Sequence, residues 1–152
     1  MILPTQGPFQ PKDFGEVIKY NRDMYPDTRF GLISSYGDSV MSFFALSLGA
    51  KGASTLVRDT LIDVANNHVG PNAPNAKVFY LDGSSHTNLG KKLSSVRSLG
   101  VGLDEWMAAM LSDDEAKGWN NVRPDLAGPV NGAQDAAIPL DIDEVERLRE
   151  LN

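Results

Sequence analysis

The chain contains no cysteine. A disulfide framework, a thiolate metal site and a cysteine nucleophile are therefore excluded, and cysteine usage says nothing about redox compartment. Positive charge is also scarce: 14 Lys and Arg stand against 20 Asp and Glu, for a net charge of −6. A face able to neutralise phosphates is not expected, which argues against a nucleic-acid partner. No apolar run approaches the ~18 residues of a membrane span. The N-terminal stretch MILPTQGPFQPKDFGE has no basic segment followed by an apolar core, so the sequence predicts no signal peptide. Only two histidines occur, His68 and His86, and neither has metal-ligand spacing to other donors. No cofactor is expected, and nothing in the chain assigns a compartment. What remains is an ordinary globular balance, 41% hydrophobic and 22% charged over 152 residues. That is enough for one domain with one core.

Along the chain, a Pro-rich start gives way at Asp13 to a helix predicted to run to about Met24, with Phe14, Val17 and Ile18 as its stripe. Phe30 to Tyr36 is apolar without alternation, the pattern of a parallel strand covered on both faces. A helix follows from Asp38 or Ser39, with Val40, Met41, Phe43, Phe44 and Leu48 expected inward and Gly49 and Gly52 ending it. Ser54 is read as the cap of a third helix carrying Leu56, Val57, Thr60, Leu61 and Val64 on one face. His68 is placed at its end, capping carbonyls. Residues 70–75 are turn-rich, and Lys77 to Leu81 (KVFYL) reads as a second strand. Leu103 to Leu111 is a helix whose Trp106, Met107 and Met110, with the later Trp119, are packing residues. Asp113, Asp114 and Glu115 read as a solvated helix start. Residues 124–139 have the composition of a linker. Asp141 to Leu151 is a final short helix with Ile142, Val145 and Leu148 in one stripe. The division is thus 1–123 for the folded portion and 124–152 for linker and terminal helix.

Strand, helices, strand implies parallel strands joined by a crossover. Two strands make a poor sheet, because both want neighbours on two edges and cover on two faces. The inference is that this sheet is completed by further chain, either an N-terminal half or a second copy.

In an open α/β sheet, reactive groups lie beyond the carboxyl ends of the strands. Asp38 follows the first strand and His86 the second, so parallel strands would bring both to one edge. A Ser-His-Asp triad needs such a carboxylate to fix the imidazole, and a histidine free to take a hydroxyl proton. Asp38 also suits a helix N-cap, and one residue can do both. The chain order acid then base is that of α/β-hydrolases, whose serine comes first on a G-x-S-x-G elbow. No such elbow occurs here, and the first 28 residues contain no serine.

The segments PDTRFGLISSYGDSVMSFF, VFYLDGSSHTNLGKK and LDEWMAAMLSDDEAKGWNNV together resemble the C-terminal part of the pectin acetylesterase/Notum-like serine esterases, over roughly residues 1–125. The resemblance implies a partial α/β-hydrolase-like three-layer α/β fold, a small parallel sheet flanked by helices. It implies Asp38 as triad acid and His86 as triad base, acting on an ester substrate in the complete enzyme. The segment bearing the serine elbow and oxyanion hole has no counterpart here, so the chain alone is expected to be inactive. A rival reading takes GDSV, with Ser39 as nucleophile, and DGSSHTNLG, with Asp82 orienting His86, as the two blocks of an SGNH/GDSL-like esterase. Spacing weighs against it: that fold places several strands and its oxyanion donors between the blocks, and no extra strand is found here. A third reading is a non-enzymatic remnant serving as a binding or assembly module.

Overall fold

The computed structural model describes residues 14–126. Helix α1 (Phe14–Met24) leads to strand β1 (Phe30–Ser35), then α2 (Ser39–Ser47), α3 (Ala53–Asp63) and a π-helical turn (Val64–Val69). Strand β2 (Ala76–Leu81) follows, then a two-residue hairpin, β3 (Arg97–Ser98) and β4 (Val101–Gly102), and helix α4 (Leu103–Leu111). The architecture is mixed α and β around a small parallel sheet. β1 and β2 pair in parallel from Phe30↔Ala76 to Ser35↔Leu81, as the two unalternating apolar runs require.

The period-2 alternation of β2 sorts its side chains into two cores. Val78 and Tyr80 join Val64, Ala65, Val69 and Tyr36 on one face. Phe79 and Leu81 join Leu103, Trp106 and Val122 on the other. Helices therefore cover both faces, α3 and the π-helical turn on one side and α4 on the other. Trp106 packs edge-on to Phe79 and tilted against Trp119, in the packing role read from the sequence for both tryptophans.

β2 is paired on both edges. Beyond β1, its second edge is met by Val122, which accepts a hydrogen bond from Tyr80 N–H and donates one to the Val78 carbonyl. Among the described residues, no strand pairs with the outer edge of β1.

Three expectations need correction. Of the apolar residues expected inward on α2, Met41, Phe43, Phe44 and Leu48 are exposed and Val40 is half-buried, and Ser42 is its buried residue. The reason lies at the helix start. Asp38 is turned into the protein, and position i+4 shares its face, so the rotational phase that buries Asp38 also buries Ser42 and turns the apolar residues out. The third helix is preceded by Gly52 in the left-handed region (φ +66°), not capped at Ser54. The ring of His68 lies against carboxylates, 3.5 Å from Glu16 and 3.4 Å from Asp63. Residues 124–126, included in the linker by composition, form a 3₁₀ turn; the expected Asp13 cap and the 141–151 helix lie outside the described residues.

Gly15 gives a direct test of the α1 contact. A Cβ there would stand 2.3–2.6 Å from three ring atoms of the buried His68. Alanine in a helix is intrinsically better than glycine by ~1 kcal/mol, but overpacking against a ring costs ~1–3 kcal/mol. Gly15→Ala is expected to lower the melting temperature by several degrees in calorimetry. A rise would show that the His68 ring yields freely.

Candidate functional site

β1 and β2 end together, and the loops leaving them are tied by three backbone hydrogen bonds. Tyr36 N–H donates to the Leu81 carbonyl (2.9 Å), Gly37 N–H to Gly83 (2.9 Å) and Ser39 N–H to Ser84 (3.0 Å). The approach is close because residue 37 is glycine: a Cβ there would lie 2.9 Å from the Gly83 carbonyl oxygen. This stitching carries the sheet register into the two loops and fixes where their side chains meet.

Asp38 and His86 meet there. Both Asp38 oxygens lie 3.0 Å from His86 Nδ1. The Asp38 residue is 3% exposed, while the His86 side chain is 41% exposed. Asp38 Oδ1 also accepts the Met41 N–H at 2.9 Å, capping α2. The carboxylate is thus held by the helix and aimed at the ring. An ionised carboxylate only accepts hydrogen bonds, so the facing Nδ1 of the imidazole must carry the proton. The neutral ring then keeps its lone pair on Nε2.

Neighbouring residues brace the loop that carries His86. Asn88 donates to the buried Ser35 hydroxyl (3.3 Å), and Lys91 Nζ donates to the Ser85 hydroxyl (2.7 Å). Beneath the other loop, the Tyr36 hydroxyl bonds the Asp125 carboxylate, which also pairs with Arg123 at 2.6 Å. Burial raises the Asp125 carboxyl, but hydrogen bonds from Arg123 and Tyr36 outweigh it and hold the group below its usual range. Arg123 reaches on to Asn66 (2.8 Å), so the last described residues are clamped under the end of β1.

Sequence reasoning singled out Asp38 and His86, and the fold brings them together. It does not bring Ser39 or Asp82 into hydrogen-bonding contact with His86. Ser39 opens α2, and its N–H is tied to Ser84. Asp82 lines a polar cleft of about 260 Å³ with Ser35, Ser85, Asn88, Lys91 and Arg97. The sequence reading missed the Gly37–Gly83 approach, the Asn88 brace and the Tyr36–Asp125–Arg123 clamp. A glycine just past each strand end was the available signal for the first; the others had none. Among the described residues, no cluster of three or more His, Cys, Asp or Glu is placed to hold a metal ion, and no helix is long and apolar enough to cross a membrane. No protein-family model, curated protein or solved structure matches the chain.

Proposed function

We propose that the chain is the acid-and-base portion of a pectin acetylesterase/Notum-like carboxylic ester hydrolase, with an α/β-hydrolase-like sheet. The observation that carries this is the Asp38–His86 pair at the carboxyl ends of two parallel strands, with the acid buried and the base open to solvent. In that reading a serine hydroxyl lies at Nε2 of His86. The imidazole takes its proton as the oxygen attacks the ester carbonyl, then gives that proton to the departing alcohol. Water repeats the cycle on the acyl-enzyme. Asp38 stabilises the imidazolium throughout. The described residues present no serine hydroxyl hydrogen-bonded to His86, so the nucleophile would be supplied by further chain or by a partner. The unpaired outer edge of β1 is where such a segment would extend the sheet. The same open edge favours the second reading, an assembly module without turnover.

Three measurements on the 152-residue chain test this. A fluorophosphonate should leave it unlabelled, and Ser39→Ala should not change its background hydrolysis of p-nitrophenyl acetate. Nitrogen-15 NMR should show neutral His86 protonated at Nδ1, and Asp38→Asn should abolish that preference. Stoichiometric labelling at Ser39 would replace this reading with the SGNH-like one. A His86 ring protonated at Nε2 would remove the triad geometry altogether.

A further inference from the structure

The chain leaves β1 through a tight turn, Ser35 to Asp38, closed by the Asp38 N–H donating to the Ser35 carbonyl at 3.1 Å. Of its two central residues, Gly37 has no side chain to hold. Tyr36 alone can therefore fix, through its side chain, the direction in which the backbone runs to Asp38. Its ring is buried and gripped from three sides. The Tyr80 ring of β2 meets it edge-on at 5.3 Å, the Arg58 guanidinium of α3 lies over it at 5.7 Å, and its hydroxyl is bonded to the Asp125 carboxylate.

The third grip is the unexpected one. The Arg123 and Asp125 side chains are only 3% and 10% exposed. Desolvating such a pair costs about as much as its attraction returns, and apolar side chains of similar size often serve stability equally well. Stability is therefore a poor account of this pair, and orientation is a better one. The Arg123 fork reaches both Asp125 oxygens, Nε to Oδ1 at 3.2 Å and Nη2 to Oδ2 at 2.6 Å, while Nη1 donates to Asn66 Oδ1 at 2.8 Å. A planar fork of this kind holds a carboxylate in one plane and one orientation. The carboxylate so fixed accepts the Tyr36 hydroxyl. Val122, next to Arg123, is hydrogen-bonded to the backbone of β2 at Val78 and Tyr80, so the clamp is anchored to the sheet itself.

We propose that Tyr36, Arg123 and Asp125 are positioning residues for the Asp38–His86 pair. None of the three touches the imidazole. They fix the turn that aims the Asp38 carboxylate at Nδ1, and so act on the ring through the backbone of Gly37. This is how a reactive pair is held to one geometry, by residues whose own side chains are locked behind it. The role concerns the geometry of the pair and stands whether or not the pair serves an ester hydrolase.

The tautomer of neutral His86, read by nitrogen-15 NMR in the full chain, tests this. Tyr36→Phe removes the hydroxyl and leaves the ring packing and the Arg123–Asp125 pair in place. Tyr36→Phe combined with Arg123→Met and Asp125→Leu replaces the whole clamp with apolar side chains, and its melting temperature should stay near that of the parent. The ratio of the Nδ1–H to the Nε2–H tautomer should fall in both variants. In the triple variant the fall should be about 10-fold, the worth of one aligned bond to a charged acceptor. A brace with a merely structural role would move the melting temperature and leave the tautomer alone. If the triple variant fails to fold, Tyr36→Phe decides by itself. An unchanged ratio in either folded variant, or a ratio that falls only as far as the melting temperature does, would overturn the proposal. A parent chain without the Nδ1–H preference would overturn the pair and the clamp's role together, whereas variants that keep a preference the parent shows would overturn the clamp's role alone.

Discussion

Ester turnover is expected when the chain is fused behind the N-terminal part of a pectin acetylesterase-like enzyme bearing the serine elbow, and Asp38→Asn should then lower kcat about 10⁴-fold. Asparagine keeps the shape of the side chain and still accepts the Met41 N–H, so α2 remains capped. What it loses is the charge facing His86 Nδ1, and with it the imidazole tautomer and the stabilised imidazolium. His86→Ala should fall to the same floor as the double variant, because the members of a triad act as a unit. Steady-state hydrolysis of p-nitrophenyl acetate by each purified fusion, with folding checked by circular dichroism, makes the measurement. An Asp38→Asn fusion within about 10-fold of its parent would show that this carboxylate is not the triad acid.

Gly37→Val is expected to disable the site from the backbone. A Cβ at this position meets the Gly83 carbonyl oxygen at 2.9 Å and its carbon at 3.4 Å. Both are main-chain atoms, with no rotamer to move aside. One loop must therefore shift, and the Gly37 N–H···Gly83 bond is lost with it. Overpacking of this kind costs ~1–3 kcal/mol, and the lost hydrogen bond adds ~1 kcal/mol. The melting temperature should drop by several degrees, and the nitrogen-15 signature of Nδ1-protonated His86 should disappear. An unaltered NMR signature in a fully stable variant would mean that the two loops hold their geometry without this contact.

The strands were legible in the sequence because 30–35 and 76–81 are apolar without alternation, which fits a strand covered on both faces. Asp38 and His86 were legible for a related reason: each stands just past a strand end, where parallel topology forces convergence. The phase of α2 was not legible. Its apolar residues outnumber its polar ones, so composition points them inward. The phase follows from Asp38 turning into the protein, and the side chain it faces there, His86, lies 48 positions away and leaves no local trace. Val122 was also hidden, since a single residue completing the edge of β2 has no periodicity to detect. The β3–β4 hairpin, two residues on each side, fails on the same ground. Asp125 sits where composition reads linker, and only its partner Tyr36, far back in the chain, reveals an anchor.

Asp38 serves two masters, a helix terminus and an imidazole, whereas among the described residues the hydrogen-bond partner of the His86 side chain is Asp38 itself. Selection for folding alone would thus keep an aspartate or asparagine at position 38 in a lineage that had abandoned catalysis. It would release position 86 to drift. Among descendants of this sequence, the histidine is the informative character. Under the triad reading, a chain with Asp38 and a random residue at 86 would have kept only its scaffold, while a chain with both would still carry the acid and the base.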